Sequence, residues 1–92
     1  MAEITVTRTD AERAPWRFHV TVREGDAATE HDVTLSSADL ERLGHGREPE
    51  DFIRACFAFL LDREPKESIL HAFDVSVIGG YFPEFEDVIR GS

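Results

Sequence analysis

Trp16-Arg17-Phe18-His19-Val20-Thr21-Val22-Arg23 is the stretch on which the fold turns. Successive side chains on a strand point to opposite faces, so Trp16, Phe18, Val20 and Val22 share one side and Arg17, His19, Thr21 and Arg23 the other. A strand with one apolar and one polar face belongs to an antiparallel sheet whose one side is packed and whose other side meets water. Downstream, Glu24-Gly25-Asp26-Ala27-Ala28 has the composition of a hairpin turn. Residues 29–35 then resume the alternation, with His31, Val33 and Leu35 on the inner register and Glu30, Asp32 and Thr34 on the outer one. Upstream, Glu3-Ile4-Thr5-Val6-Thr7-Arg8 alternates with Ile4 and Val6 inward, and residues 10–15 supply a connecting loop. The expectation is a three-stranded antiparallel β-meander over about 3–8, 16–23 and 29–35, with one apolar face that needs a cover.

The rest of the chain supplies that cover as three to four helices, over about 37–43, 49–62, 65–72 and 75–81. Ser36 or Ser37 suits the N-cap of the first, and Gly44 its stop. Pro49 fits the opening position of the second, with Glu50 and Asp51 favourable in its first turn. Phe52, Ile53, Cys56, Phe57, Phe59, Leu60 and Leu61 cover a wide arc of that helix, which implies burial on two sides between the sheet and the C-terminal segment. Arg63-Glu64-Pro65-Lys66-Glu67 repeats the start chemistry of Arg47-Glu48-Pro49-Glu50-Asp51, and predicts a helix with Ile69, Leu70 and Phe73 on one face. Residues 73–78 read both ways. Phe73, Val75 and Val77 alternate with Asp74 and Ser76 as on a strand, while Asp74 as a cap and the spacing of Val75, Ile78 and Phe82 favour a short helix over 75–81. A break near Pro83 precedes a last helical turn carrying Phe85, Val88 and Ile89.

The run from Val33 through Leu40 to Gly44, the two Arg-Glu-Pro segments, Phe59-Leu60-Leu61, and above all Phe73-Asp74-Val75-Ser76-Val77-Ile78 followed by Tyr81-Phe82-Pro83-Glu84-Phe85-Glu86 carry a resemblance over residues 30–86. The chain resembles a group of small acidic bacterial proteins with a C-terminal Tyr-Phe-Pro-Glu-aromatic motif. No activity is attached to that group, so the resemblance implies a bacterial source and a helical C-terminal segment, and it carries over no site residue.

A chain of 92 residues reads as one domain over 1–90, with Gly91-Ser92 as an added tail. Seven Phe, one Trp and one Tyr provide the bulk of a small core. A single cysteine, Cys56, excludes an intramolecular disulfide framework and points to a cytoplasmic setting. No basic start leads into an apolar run and no segment is long and apolar enough to span a bilayer, so neither a leader nor a membrane span is expected. The net charge of −9 is uneven. Residues 1–23 hold four Arg against three acids, whereas residues 24–92 carry −10. That excess opposes phosphate backbones and anionic membranes and suits either simple solubility or a basic partner.

No His-Glu-x-x-His, Cys-x-x-Cys, Gly-rich phosphate loop or Gly-x-Ser-x-Gly elbow is present, so no catalytic residue, cofactor or metal ligand is assigned. His19 reads as a surface residue beside Arg17 and Arg23, and Glu30 and Asp32 as cross-strand partners for those arginines. His31 reads as a boundary residue, His71 as partly exposed on the third helix, and Cys56 as a core residue. Arg17, His19 and Arg23 make a basic stripe without the stacking aromatics of an RNA-reading sheet, because Trp16 and Phe18 face the other way. Two candidate sites remain. Tyr81, Phe82 and Phe85 crowd near one end of the chain; they either close the core or leave an aromatic exposed as an interface for a homodimer or a partner groove. His45, with Arg47 and Glu48, lies in a Gly-flanked loop that suits a small-ligand site or a minor enzyme. The leading expectation is a small non-catalytic protein-interaction domain, adaptor or regulatory, with a basic or apolar protein partner. One variant is an antitoxin-like neutraliser or nucleic-acid mimic.

Overall fold

The computed structural model describes residues 2–10 and 13–91. Its strands are β1 (Glu3–Asp10), β2 (Trp16–Glu24), β3 (Ala27–Leu35) and β4 (Ala72–Asp74), and its α-helices α1 (Ser37–Leu43), α2 (Pro49–Leu61), α3 (Ser76–Tyr81) and α4 (Phe85–Gly91). The architecture is α+β, and the sheet has four strands in the order β1-β2-β3-β4. β1 and β2 pair antiparallel with Val6 opposite Val20, and β2 and β3 pair antiparallel with Phe18 opposite Val33. The expected meander is therefore present. β1 runs on to Asp10, which shortens the loop expected over 10–15; residues 11 and 12 of that loop lie outside the described residues.

The hairpin between β2 and β3 turns on Gly25 and Asp26. Gly25 has φ +60 and Asp26 does not share the positive φ, the signature of a type II′ turn whose twist matches that of the strands. It fixes the register that sends Phe18, Val20, Val22, Val33 and Leu35 to the buried side.

The fourth strand corrects the expected three-stranded sheet. β4 pairs parallel to β3, with Val33 opposite Phe73. The helix expected over 65–72 is a single 3-10 turn, Lys66–Ser68, after which Ile69 goes extended at φ −74, ψ 133. The physical reason is the edge of β3. Its backbone groups need partners, and the Asp32 N–H donates to the His71 carbonyl (2.7 Å) while the Val75 N–H donates to the Thr34 carbonyl (3.0 Å). The ambiguity at 73–78 resolves into both forms: strand through Asp74, then helix from Ser76. Asp74 joins them, because its carboxylate accepts from the Thr34 hydroxyl on one side and from the Ser76 N–H on the other. Burial raises the Asp74 pKa, but those hydrogen bonds outweigh it and hold the group below its usual value.

α1 is capped as expected, the Ser36 side chain accepting from the Asp39 N–H at 3.1 Å. Gly44 ends it in a right-handed conformation, and what requires glycine there is close approach, since a Cβ would collide with the Leu40 backbone. α2 buries Phe52, Ile53, Cys56, Phe57, Phe59 and Leu60. On one side Phe57 meets His31 (5.4 Å between ring centroids) and Phe73 (6.0 Å); on another Phe59 meets Phe82 (5.7 Å) and Phe85 (5.1 Å) edge to face. The wide apolar arc thus reflects a central helix between the sheet and the C-terminal segment. Gly91, read as part of a tail, is the last residue of α4.

Candidate functional site

Because Ile69 goes extended and β4 follows at once, the chain doubles back beside the end of α2 before α3 begins. A groove of about 170 Å³ is left between these segments. Leu60, Ile69 and Ile78 form its buried floor, and Phe73, Val77 and Phe82 its half-buried walls. Leu70 and Tyr81 stand on its rim at 46% and 68% exposure. With Val88 they are the large hydrophobic side chains the fold leaves in water among the described residues. An aromatic and an aliphatic side chain thus stand exposed on one concave apolar surface.

The charge around the groove is acidic. Glu64 is the one charged residue lining it, and its carboxylate makes no ion pair or side-chain hydrogen bond among the described residues. The neighbouring cations are already engaged. Arg63 donates to Glu84 (3.0 Å), approaches Asp62 (3.6 Å) and stacks 3.7 Å above the Phe59 ring. The buried Lys66 places its ammonium 2.7 Å from Glu67 and 3.5 Å from Glu24.

The three aromatics singled out from the sequence have three different fates. Phe85 is fully buried against Phe59 and serves the core, so it offers nothing to a partner. Phe82 is a wall of the groove, and Tyr81 projects from its rim. The structure does not bring His45, Arg47 and Glu48 together as a site. His45 is exposed at φ +53, and the Glu48 side chain caps nothing at the start of α2. Arg47 turns inward and donates to the Ile89 carbonyl at 3.0 Å, tying the α1–α2 loop to the end of α4. None of the three lines the groove.

The remaining histidines also depart from expectation. His19, not Arg17 or Arg23, is the cross-strand partner of Glu30 and Asp32, with Nε2 2.6 Å from Glu30 and Nδ1 3.1 Å from Asp32. Those hydrogen bonds, Asp32 first, raise its pKa. His31 is buried, not at a boundary, and burial lowers its pKa. His71 lies in the extended lead into β4, not on a helix; its ring stacks on that of His31 at 5.9 Å. Cys56 is buried as expected, and desolvation pushes its thiol up. Among the described residues no three His, Cys, Asp or Glu converge as a metal site, and no helix is long and apolar enough to cross a membrane.

Leu70, Phe73, Val77 and Glu64 were not singled out by the sequence as functional. One signal was available. Ile69 and Leu70 are adjacent, and in an extended segment two neighbours cannot both face inward. Against known proteins, the chain matches no family model, no curated protein and no solved structure.

Proposed function

We propose that this chain is a small non-catalytic protein-interaction domain, adaptor or regulatory, that receives its partner on the face bearing Tyr81 and Leu70. The observation that carries the reading is the exposure of those two side chains over one apolar groove. The groove's polar side chains are Glu64, Ser68 and the hydroxyl of Tyr81, with no histidine or cysteine among its lining residues, which supports docking over chemistry. A reducing, cytoplasmic setting belongs to the proposal and is supported by the single buried thiol.

The test is affinity capture from a lysate of the producing organism at low and high salt, comparing wild type with a Leu70→Ser, Tyr81→Ser variant. One protein recovered in stoichiometric amount by wild type and lost by the variant is the expected result. A partner retained equally by the variant would place the interface elsewhere. Recovery of no specific protein at either salt would count against the reading.

A further inference from the structure

We infer that the groove takes a segment of a partner protein in which a large apolar side chain sits next to an arginine or lysine, the apolar group entering between Leu70 and Tyr81 and the cation meeting Glu64. The inference rests on the docking reading above and names the chemistry of its occupant.

Size points to a side chain and not to a cofactor. At about 170 Å³ the groove falls below the roughly 300–1,000 Å³ of small-molecule sites. Its floor and walls are aliphatic and aromatic, so the group that fills it is apolar.

Charge then selects the neighbour of that group. Glu64 lines the groove and is half-buried, and its carboxylate has no ion-pair or side-chain hydrogen-bond partner among the described residues. A carboxylate held against an apolar surface gains most from a cation that arrives with the ligand. Over residues 60–84 the chain carries Asp62, Glu64, Glu67, Asp74 and Glu84 against Arg63 and Lys66 alone. Both cations are held by carboxylates of this chain and cannot supply the missing charge. The exposed Tyr81 ring offers a second contact, since a guanidinium stacks on an aromatic face.

The same charges weigh against other occupants. A second copy would bring another net −9 and another unpaired Glu64 to the interface, and like charges brought together oppose association. A nucleic acid would add phosphates to an acidic face. A basic, apolar segment is the occupant that satisfies both the groove and the carboxylate.

The experiment is selection from a random-peptide display library on the immobilised wild-type protein, with counter-selection on the Leu70→Ser, Tyr81→Ser variant. Both altered side chains are exposed, and each variant is to be checked for folding by circular dichroism before use. The expected result is a family of peptides sharing a large apolar residue within a few positions of Arg or Lys. Their affinity should fall about fivefold on Glu64→Gln, the scale of a partly exposed ion pair. It should recover when Glu64→Lys is paired with peptides whose Arg or Lys is replaced by Glu. Peptides that need Tyr81 but carry no cation and ignore Glu64→Gln would overturn the inference and leave the docking reading standing. A selection in which no peptide depends on Leu70 or Tyr81 would overturn both. Sedimentation showing a wild-type dimer that Tyr81→Ser dissociates would assign the groove to a second copy instead.

Discussion

The Nδ1 atom of His31 lies 2.7 Å from the carbonyl oxygen of Leu70. A carbonyl only accepts, so Nδ1 carries the proton and donates, and Nε2 at 2.9 Å accepts from the Thr29 hydroxyl. The buried ring is held neutral, chiefly by desolvation, and fastens β3 to the residue on the rim of the groove. The folded pKa lies below the ordinary 6.5. Protons therefore favour the unfolded chain as pH falls through that value, and stability drops on mild acidification. His31→Leu should flatten this part of the pH profile in urea titrations. It should also cost about 1–3 kcal/mol at neutral pH by orphaning the Leu70 carbonyl. A variant with the wild-type pH profile would refute the assignment.

His19 should show the opposite sign. Its hydrogen bonds to Asp32 and Glu30 raise the folded pKa above 6.5. The stability it contributes is fully present below that value and is lost as pH rises through the folded pKa. The difference between wild type and His19→Gln should be largest in mild acid and shrink at alkaline pH. An NMR titration should place the His19 midpoint above 6.5; a midpoint at or below it contradicts the geometry.

Tyr81 and Phe85 should separate cleanly when truncated. Phe85 is fully buried against Phe59, so Phe85→Ala should destabilise by about 3–5 kcal/mol. Tyr81 is 68% exposed, so Tyr81→Ala should stay within about 0.5 kcal/mol of wild type in the same denaturant assay. Comparable losses would mean that Tyr81 is a core residue, and the proposed interface would fall with it.

His45 sits at φ +53, where an L-residue is disfavoured by roughly 1–2 kcal/mol. Glycine relieves that cost and gives back part of it as unfolded-chain entropy. His45→Gly should therefore stabilise by about 0.5–1 kcal/mol, read as a higher melting temperature. A lower one would show that the imidazole makes a contribution that outweighs the backbone.

Cys56 should resist a thiol reagent in the native protein. Burial among the side chains of α2 pushes its pKa up and shields the sulfur. Labelling in increasing urea should track global unfolding; fast labelling without denaturant would reveal local opening of α2.

Much of the fold was legible because it is written in short-range patterns. The alternation of 16–23 and 29–35 determines which faces are apolar, Gly25 suits the turn between them, and the arc from Phe52 to Leu61 announces a helix buried on two sides. Asp74 was read as the cap of the following helix; the helix is instead capped at Val75, and the Asp74 carboxylate accepts from the Ser76 N–H two residues on.

The groove was not legible for the same reason inverted. Residues 65–72 read as a helix and 73–78 read both ways, yet residues 66–74 become a turn and a strand because the edge of β3, some 40 residues earlier, needs hydrogen-bond partners. That choice exposes Leu70 and opens the groove. The separate fates of Tyr81 and Phe85 follow from where Phe59 of α2 comes to rest. Local periodicity thus determined the two long hairpin strands and the central helix by itself. Pairing and packing between distant segments, which no local pattern encodes, decided the fourth strand and the face it leaves open.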